Sequence, residues 1–150
     1  MMSNRDATPE SDLGSERVRA QGHEHVTAEH ASTLEVTSDD WLTPAGDCIV
    51  AVEADRVPAD FSAAFVTACR KPTATITATF AAGEYEQTVT GHGHPDLTFE
   101  SDRSMVLRTS EYVDDRTVMV GADTAAAEMD RELVDALASG AQLRVTFVVE

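Results

Sequence analysis

The sequence lacks the features that would assign it quickly to a large functional class. It contains no run of about 18 apolar residues, so no membrane-spanning helix is predicted. Its first 17 residues have no apolar centre of the signal-peptide kind, and a cytoplasmic location is the default expectation. No phosphate-binding loop, dinucleotide-binding fingerprint or nucleophile-elbow motif is present. Nucleotide-binding and α/β-hydrolase functions therefore have no support from motifs.

Lysine is almost absent, and the chain is strongly acidic. Lys71 is the single lysine, ten arginines supply the other positive charges, and the formal net charge is −16. Residues 18–150 carry −14 of this charge, so the acidity is not confined to the N-terminus. Such self-repulsion destabilises a compact domain in dilute buffer and is screened in about 1 M salt, where the Debye length is roughly 3 Å. The composition favours a salt-loving archaeal source over an ordinary acidic protein, and the charge argues against nucleic acid as a partner.

Cysteine is also scarce. Cys48 and Cys69 do not form a Cys-x-x-Cys pair, which excludes a zinc ribbon and a thioredoxin-type motif. A cysteine of this kind is usually a small apolar residue of the core.

The length fits one domain. Residues 1–17 are polar and lack periodicity, so we predict a disordered acidic extension followed by a single domain over residues 18–150. No internal repeat stands out in that domain.

Alternation of apolar and polar residues predicts most of the strands. From His25 to Thr37 the pattern indicates one long strand, with His30 on the apolar face. Gly83 marks the turn of a hairpin. The other predicted strands cover residues 48–54, 104–110, 116–122 and 142–150.

Two helices are predicted. The first covers residues 58–70 and is capped by Asp60; the second covers residues 123–140, is capped by Asp123 or Thr124, and ends at Gly140. Because most strands follow one another without an intervening helix, we predict a mainly β fold, an antiparallel sandwich or barrel with one or two appended helices.

Five residues are candidates for catalysis: His23, His30, Glu35, Asp47 and Cys48. A thiol nucleophile needs a histidine within reach, and two carboxylates in contact would separate their pKa values into an acid and a base. Each residue also has an ordinary structural explanation, such as a hydrogen-bonded core histidine, a solvated carboxylate or a buried thiol.

Two histidine pairs and two arginines are candidates for metal or anion binding. His23 with His25, and His92 with His94, have a spacing that places two imidazoles on one face of a strand, but no His-Glu-x-x-His motif accompanies them. We therefore assign no metal ligands and leave any cofactor unknown. Arg108 and Arg116 could bind a carboxylate or phosphate, or belong to a structural network of ion pairs.

Five stretches of the chain together form a pattern typical of one protein family. The most specific is LTPAGDCI at 42–49. The others are GHEHVTAEHASTLEVT at 22–37, SMVLRTSEY at 104–112, RTVMVGAD at 116–123 and AAAEMDRELVDAL at 125–137. With these stretches the chain resembles the archaeal domain of unknown function 371, over nearly all of residues 18–150. His25, where the family pattern has Asn, and Ser32, where it has Thr, depart from the pattern. The departure at His25 weakens the His23 and His25 pair.

The resemblance implies a sandwich of jelly-roll type and no particular activity. It adds Ser110 to Arg108 and Arg116 as candidate ligand-binding residues, through an Arg-x-Ser motif. Three functions stay open: a module that binds a polar or anionic small ligand, an enzyme using the Asp, Cys and His residues with or without a metal, and a structural subunit that docks a protein partner through exposed strand edges.

Overall fold

The computed structural model describes residues 14–150, so most of the predicted N-terminal extension lies outside the described residues. The described chain forms eight strands and two α-helices, and each helix follows a short 3-10 turn, at Pro58–Asp60 and Ala126–Glu128. The helices are α1 (Ala63–Cys69) and α2 (Arg131–Ala138). The strands are β1 (Ser15–Gln21), β2 (Thr33–Thr37), β3 (Ile49–Ala51), β4 (Thr75–Ala82), β5 (Tyr85–His92), β6 (Ser104–Arg108), β7 (Thr117–Met119) and β8 (Gln142–Val149).

The strands form two four-stranded sheets, which confirms a mainly β fold. The first sheet has the order β1-β8-β4-β5 and is antiparallel throughout. The second has the order β3-β2-β6-β7, and only its central pair, β2 with β6, is antiparallel. The prediction of an antiparallel sandwich is therefore wrong for the two outer pairs, which are parallel. Parallel neighbours need a connection that returns along the sheet, and residues 38–48 and 109–116 supply it. Jelly-roll connectivity stays a prediction.

Isolated bridges connect the two sheets at both sides. Gln21 at the end of β1 pairs with Val52 just after β3, and His92 at the end of β5 pairs with Val120 just after β7. The enclosed core is apolar, and burial of each large side chain contributes roughly 1.5–3 kcal/mol. Its largest fully buried members include Leu34, Phe65, Phe80, Met105, Leu107, Leu133, Leu137 and Phe147. No helix among residues 14–150 is long and apolar enough to cross a membrane.

The chain is built from two equivalent halves, which corrects the expectation that no internal repeat is present. The series β1, β2, β3, α1, β4 recurs as β5, β6, β7, α2, β8. When each strand is replaced by its equivalent in the other half, both sheets keep the same strand order, read from the opposite edge. The similarity extends to backbone detail. Val52-Glu53-Ala54-Asp55 corresponds to Val120-Gly121-Ala122-Asp123, and the second residue of each has a positive φ, 57° at Glu53 and 59° at Gly121.

An aspartate of each repeat covers an outer edge of the first sheet. The Asp55 amide donates to the Arg19 carbonyl at 2.8 Å, and the Arg19 amide donates to Asp55 Oδ1 at 2.9 Å. Asp123 makes the same two bonds to Thr90, at 2.9 and 3.0 Å. Each carboxylate thus takes the place of a neighbouring strand, so these edges are less available to a protein partner.

The halves interlock through two glycines. Gly22 follows β1 and lies against α2 of the other half, where a Cβ would overlap the Leu137 carbonyl. Gly93 follows β5 and lies against α1, where a Cβ would overlap the Cys69 carbonyl. Each glycine thus packs against the helix of the opposite half, so each half contributes to the packing of the other.

The predicted long strand over residues 25–37 is wrong for its first part. Regular strand begins at Thr33, and the preceding loop contains Ala28 at a φ of 50°. Tertiary contacts hold this loop: the Arg131 guanidinium donates to the Thr27 and Ala28 carbonyls, and the Asp47 carbonyl accepts from the two amides that follow. These partners are distant in sequence, so local alternation could not reveal them.

The predicted helices are shorter than expected, and their caps differ. Ser62 caps α1 and Asp130 caps α2, since their side chains accept from Phe65 and Glu132 amides. Asp60 and Glu128 instead close the preceding 3-10 turns. At the N-terminus, β1 starts at Ser15, inside the range predicted to be disordered.

The interlocked repeat predicts the behaviour of a divided chain. Fragments 1–83 and 84–150, cut beside the Gly83 turn, should associate when co-expressed, because β4 and β8 pair across the halves. Affinity capture through a tag on one fragment, followed by circular dichroism in molar potassium chloride, measures this. A cooperative thermal transition in either fragment alone, or no co-purification, would contradict the interlocked arrangement.

Candidate functional site

The candidate site lies on the outer face of the second sheet, around the antiparallel pair β2 and β6. Glu35 pairs in register with Val106, and the two are equivalent positions of the repeats, so this pair lies on the axis relating the halves. Leu34 and Leu107, on the other face, belong to the core. Polar residues of the outer face are also buried, and they include Glu35, Thr37, Ser104, Arg108 and Thr117.

The Glu35 carboxylate connects equivalent positions of the two halves. Cys48 Sγ donates to Glu35 Oε1 at 3.3 Å, and Arg116 Nη1 lies 3.7 Å from Glu35 Oε2. Cys48 and Arg116 correspond in the repeat, since their carbonyls accept from the Glu35 and Val106 amides respectively. Glu35 is 9% exposed, so its charge is held away from bulk water and close to the arginine.

This environment suppresses ionisation of the thiol. Burial first, and then the adjacent negative charge of Glu35, raise the pKa of Cys48 to about 11. Cys69 is buried in the core, and burial raises its pKa to about 12. Both cysteines are therefore protonated at neutral pH.

Arg108 is held by a structural network. Its Nη2 donates to Asp114 Oδ2 at 3.0 Å, its Nε donates to Thr117 Oγ1 at 2.8 Å, and its guanidinium stacks over the exposed Tyr112 ring. Burial opposes ionisation of Asp114, but hydrogen bonds from the Arg116 amide and the Thr117 hydroxyl, with the charge of Arg108, lower its pKa overall. Arg108 is thus engaged by its own chain.

Ser110 lies at the surface beside this network. Its hydroxyl accepts from the Tyr112 amide at 3.3 Å, and its carbonyl accepts from the Gly121 amide. Its contacts stabilise the turn after β6, and it does not line the pocket described next.

A pocket of about 230 Å³ opens beside Glu35 and Arg116. Its wall includes Trp41, which is 55% exposed. It also includes Arg103, whose guanidinium donates three hydrogen bonds of 2.8–3.2 Å to the Asp39 carboxylate. The hydrogen bond from Arg103 lowers the pKa of Asp39. The complete lining is Glu35, Asp39, Trp41, Ile49, Arg103, Ser104 and Arg116. We call this the Trp41 pocket.

The histidine candidates lie outside the pocket lining. His30 Nδ1 accepts from the Ser32 and Thr33 amides and lies 3.0 Å from the Thr33 hydroxyl. The Thr33 hydroxyl also lowers the pKa of Cys48 slightly, against the larger effects of burial and Glu35. His23 Nδ1 accepts from the His25 amide, in a local turn. Neither imidazole has a direct contact with Cys48 among the described interactions.

Asp47 contributes through its backbone. Its carbonyl accepts from the Glu29 and His30 amides, at 2.9 and 3.2 Å, and so positions the loop before β2. Of the five catalytic candidates, the described structure brings Glu35 and Cys48 into direct contact.

The two histidine pairs differ in surroundings. The His23 and His25 rings lie 5.1 Å apart, while His92 Nε2 lies 3.0 Å from Glu111 Oε2 and His94 Nδ1 accepts from the Asp96 amide. Within residues 14–150, no group of three or more His, Cys, Asp or Glu side chains is arranged to hold a metal ion.

Trp41 and Arg103 were missed as site residues. Trp41 is the single tryptophan of the chain and stands in a polar loop, which was a usable signal. Arg103 lines the same pocket and binds Asp39, which is 64 residues away in sequence, and sequence spacing gives no indication of that contact.

Comparison with known proteins places the chain in a family. A family model described as a domain of unknown function, DUF371, matches residues 18–150. An uncharacterised protein of Methanocaldococcus jannaschii is 37% identical over 132 residues, which cover 88% of this chain and 97% of that protein. The chain therefore belongs to the DUF371 family.

Proposed function

We propose that this protein binds a small, flat molecule carrying an acidic group in the Trp41 pocket. The observation that carries the proposal is an exposed indole beside a loosely paired arginine: Trp41 and Arg116 line one small cavity, and each has surface to offer a ligand. The family relative is uncharacterised and adds no activity, so the proposal rests on the pocket alone.

Arg116 has donor capacity that its own chain does not use fully. Its side chain is 42% exposed, its ion pair with Glu35 is 3.7 Å long, and its bond to Asp114 is 3.4 Å long. Arginine offers five N–H donors in a planar fork suited to carboxylate or phosphate groups. An acidic group of the ligand would complete the hydrogen bonding of this guanidinium.

The rest of the pocket supplies shape and selectivity. Trp41 gives an exposed aromatic face for stacking, with Ile49 as a second apolar surface. Glu35 is an acceptor at the pocket wall for an N–H or O–H of the ligand. The lining contains two arginines and two carboxylates, so a ligand with both acidic and donor groups matches it better than a simple anion.

The remaining expectations belong to the same proposal. Residues 18–150 act as a single cytoplasmic module of jelly-roll type, and near-absence of lysine supports a haloarchaeal source. His23, His30, Asp47 and Ser110 position the loops and turns around the sheet, while Arg108 fixes Asp114 next to Arg116. Catalysis by a cysteine thiolate has weak support because the Cys48 thiol faces a carboxylate.

Binding is measurable through the tryptophan itself. Titrating the protein with small heteroaromatic carboxylates should change the Trp41 fluorescence saturably, since no other indole contributes. Arg116→Gln should weaken the affinity about tenfold, the effect of losing a charge-assisted hydrogen bond. Arg70→Gln, an exposed arginine outside the pocket lining, is the matched control.

Equal affinity of the wild type and Arg116→Gln, with normal thermal unfolding of both, would reject this pocket as the site. So would the lack of any saturable response across the carboxylates tested. Trp41→Phe, which keeps an aromatic face, should retain binding when heat release is measured instead of fluorescence.

The thiol environment makes a separate prediction about Cys48. At pH 8, alkylation by iodoacetamide should be roughly tenfold or more slower than for a free thiol, and faster as the pH rises towards the pKa of about 11. Glu35→Gln removes the adjacent charge and should accelerate labelling, whereas Glu29→Gln, at an exposed position, should not. Peptide mass spectrometry separates Cys48 from Cys69. Labelling of wild-type Cys48 at the free-thiol rate at pH 7 would restore the nucleophile hypothesis.

A further inference from the structure

We propose a second binding site, for a phosphate-bearing small molecule, on the outer face of the first sheet. This surface is formed by Arg17 and Arg19 of β1 and Arg144 of β8, and we call it the arginine face. It lies on the sheet opposite to that of the Trp41 pocket and does not depend on the function proposed for that pocket.

The register concentrates positive charge here. Arg19 is directly opposite Arg144, and Arg17, two residues earlier on the same face of β1, is opposite Thr146. Directly opposite residues of an antiparallel pair have Cβ atoms about 4.5–5.5 Å apart, and like charges in that position repel. In a chain of net charge −16, three arginines on one face are a local excess that folding does not favour.

These arginines also lack the partners that others have. Arg56, Arg103, Arg108 and Arg116 each form an ion pair with a carboxylate. Among the described residues, no carboxylate lies within 4.0 Å of the guanidinium nitrogens of Arg17, Arg19 or Arg144. Their fork-shaped donors are therefore available to an anion.

The face is concave and can hold a ligand. Its cavity measures about 390 Å³, and the lining includes the hydroxyl residues Thr79 and Thr146. Two carboxylates, Asp55 and Glu86, also line it. Asp55 accepts from the Arg19 amide at the strand edge, so it already has a structural role. Three arginines against two carboxylates leave the surface net positive.

The repeat provides an internal comparison. Asp55 and Asp123 are equivalent in the repeat, and they accept from the Arg19 and Thr90 amides respectively. Thr90 is therefore the equivalent of Arg19. Thr90 pairs with Thr77, just as Arg19 pairs with Arg144. The same sheet therefore accommodates threonine at both equivalent positions, and its architecture does not require the arginines.

A phosphate group is the anion that these donors fit best. Several arginine guanidinium groups and threonine hydroxyls line one cavity, and together they can donate hydrogen bonds to the multiple oxygens of a phosphate or pyrophosphate. Binding of a single-stranded nucleic acid usually adds aromatic side chains for base stacking, and the lining contains none. The overall acidity also repels a long polyanion more strongly than a small one.

The test is calorimetric titration of the full chain with inorganic pyrophosphate at the lowest salt concentration at which circular dichroism shows the folded protein, because salt screens electrostatic contacts. Arg19→Thr and Arg144→Thr copy the residues of the other half and should each weaken binding about tenfold. Lys71→Thr removes one exposed positive charge outside the face and should bind like the wild type.

Thermal unfolding gives an independent measurement. Without ligand, Arg144→Thr should unfold at the same or a higher temperature than the wild type, since it relieves repulsion between Arg19 and Arg144. At one pyrophosphate concentration, the unfolding temperature should rise more for the wild type than for either variant.

Three results would overturn the proposal. The first is no saturable binding of pyrophosphate, and the second is equal binding by the wild type and both threonine variants. The third is binding of a single-stranded oligonucleotide of about ten nucleotides that is tighter than pyrophosphate and lost in the same variants, which would assign the face to nucleic acid instead.

Discussion

The fit of each half's glycine against the other half's helix is the constraint on which the structure depends. Gly22 and Gly93 allow the chain after β1 and β5 to approach the Leu137 and Cys69 carbonyls more closely than any side chain would permit. β2 and β6 meet at the centre of one sheet, and β4 and β8 meet at the centre of the other, so the axis of the repeat passes through a central strand pair of each sheet. The Trp41 pocket opens beside this axis on the second sheet, whereas the arginine face lies to one side of it, on β1 and β8 of the first.

The two halves share the residues that close the fold and differ at the residues proposed to bind a ligand. Positions that close the fold are repeated, as Asp55 and Asp123 are at the sheet edges. On the axis the equivalents differ in chemistry: Glu35 faces its counterpart Val106, and Cys48 corresponds to Arg116. A carboxylate buried between a thiol and an arginine costs solvation free energy, and a symmetric apolar pair would avoid that cost. This polar, asymmetric axis is the feature on which the proposed ligand binding rests.

The sequence predicts the elements that depend on a local pattern of residues. Its predictions fail where contacts between residues distant in sequence determine the backbone conformation. The hairpin at Gly83 follows from alternation and a turn residue, and the structure has both. In the loop before Thr33, apolar and polar residues alternate equally well, but the loop is not a strand, because the Arg131 guanidinium donates hydrogen bonds to two of its carbonyls. The repeat was detectable in principle from Gly-His at 22–23 and 93–94, with Thr-x-Glu at 27–29 and 98–100, but few other identities support it. Glu35 and Cys48 are both sequence candidates, but the sequence associates Cys48 with a histidine, and its contact with Glu35 is seen only in the structure. Arg103 and Trp41 line one pocket beside the paired strands β2 and β6, which sequence spacing does not show.

Ligand binding at the asymmetric axis of the second sheet is tested most directly by a protein-observed nuclear magnetic resonance screen with a library of small polar fragments in molar salt. Fragments that bind in the Trp41 pocket should shift the indole N–H resonance of Trp41 together with the backbone amides of Arg103 and Arg116. Fragments that bind but leave these resonances unchanged, and shift instead those of the acidic surface around His94 and Asp115, would contradict it.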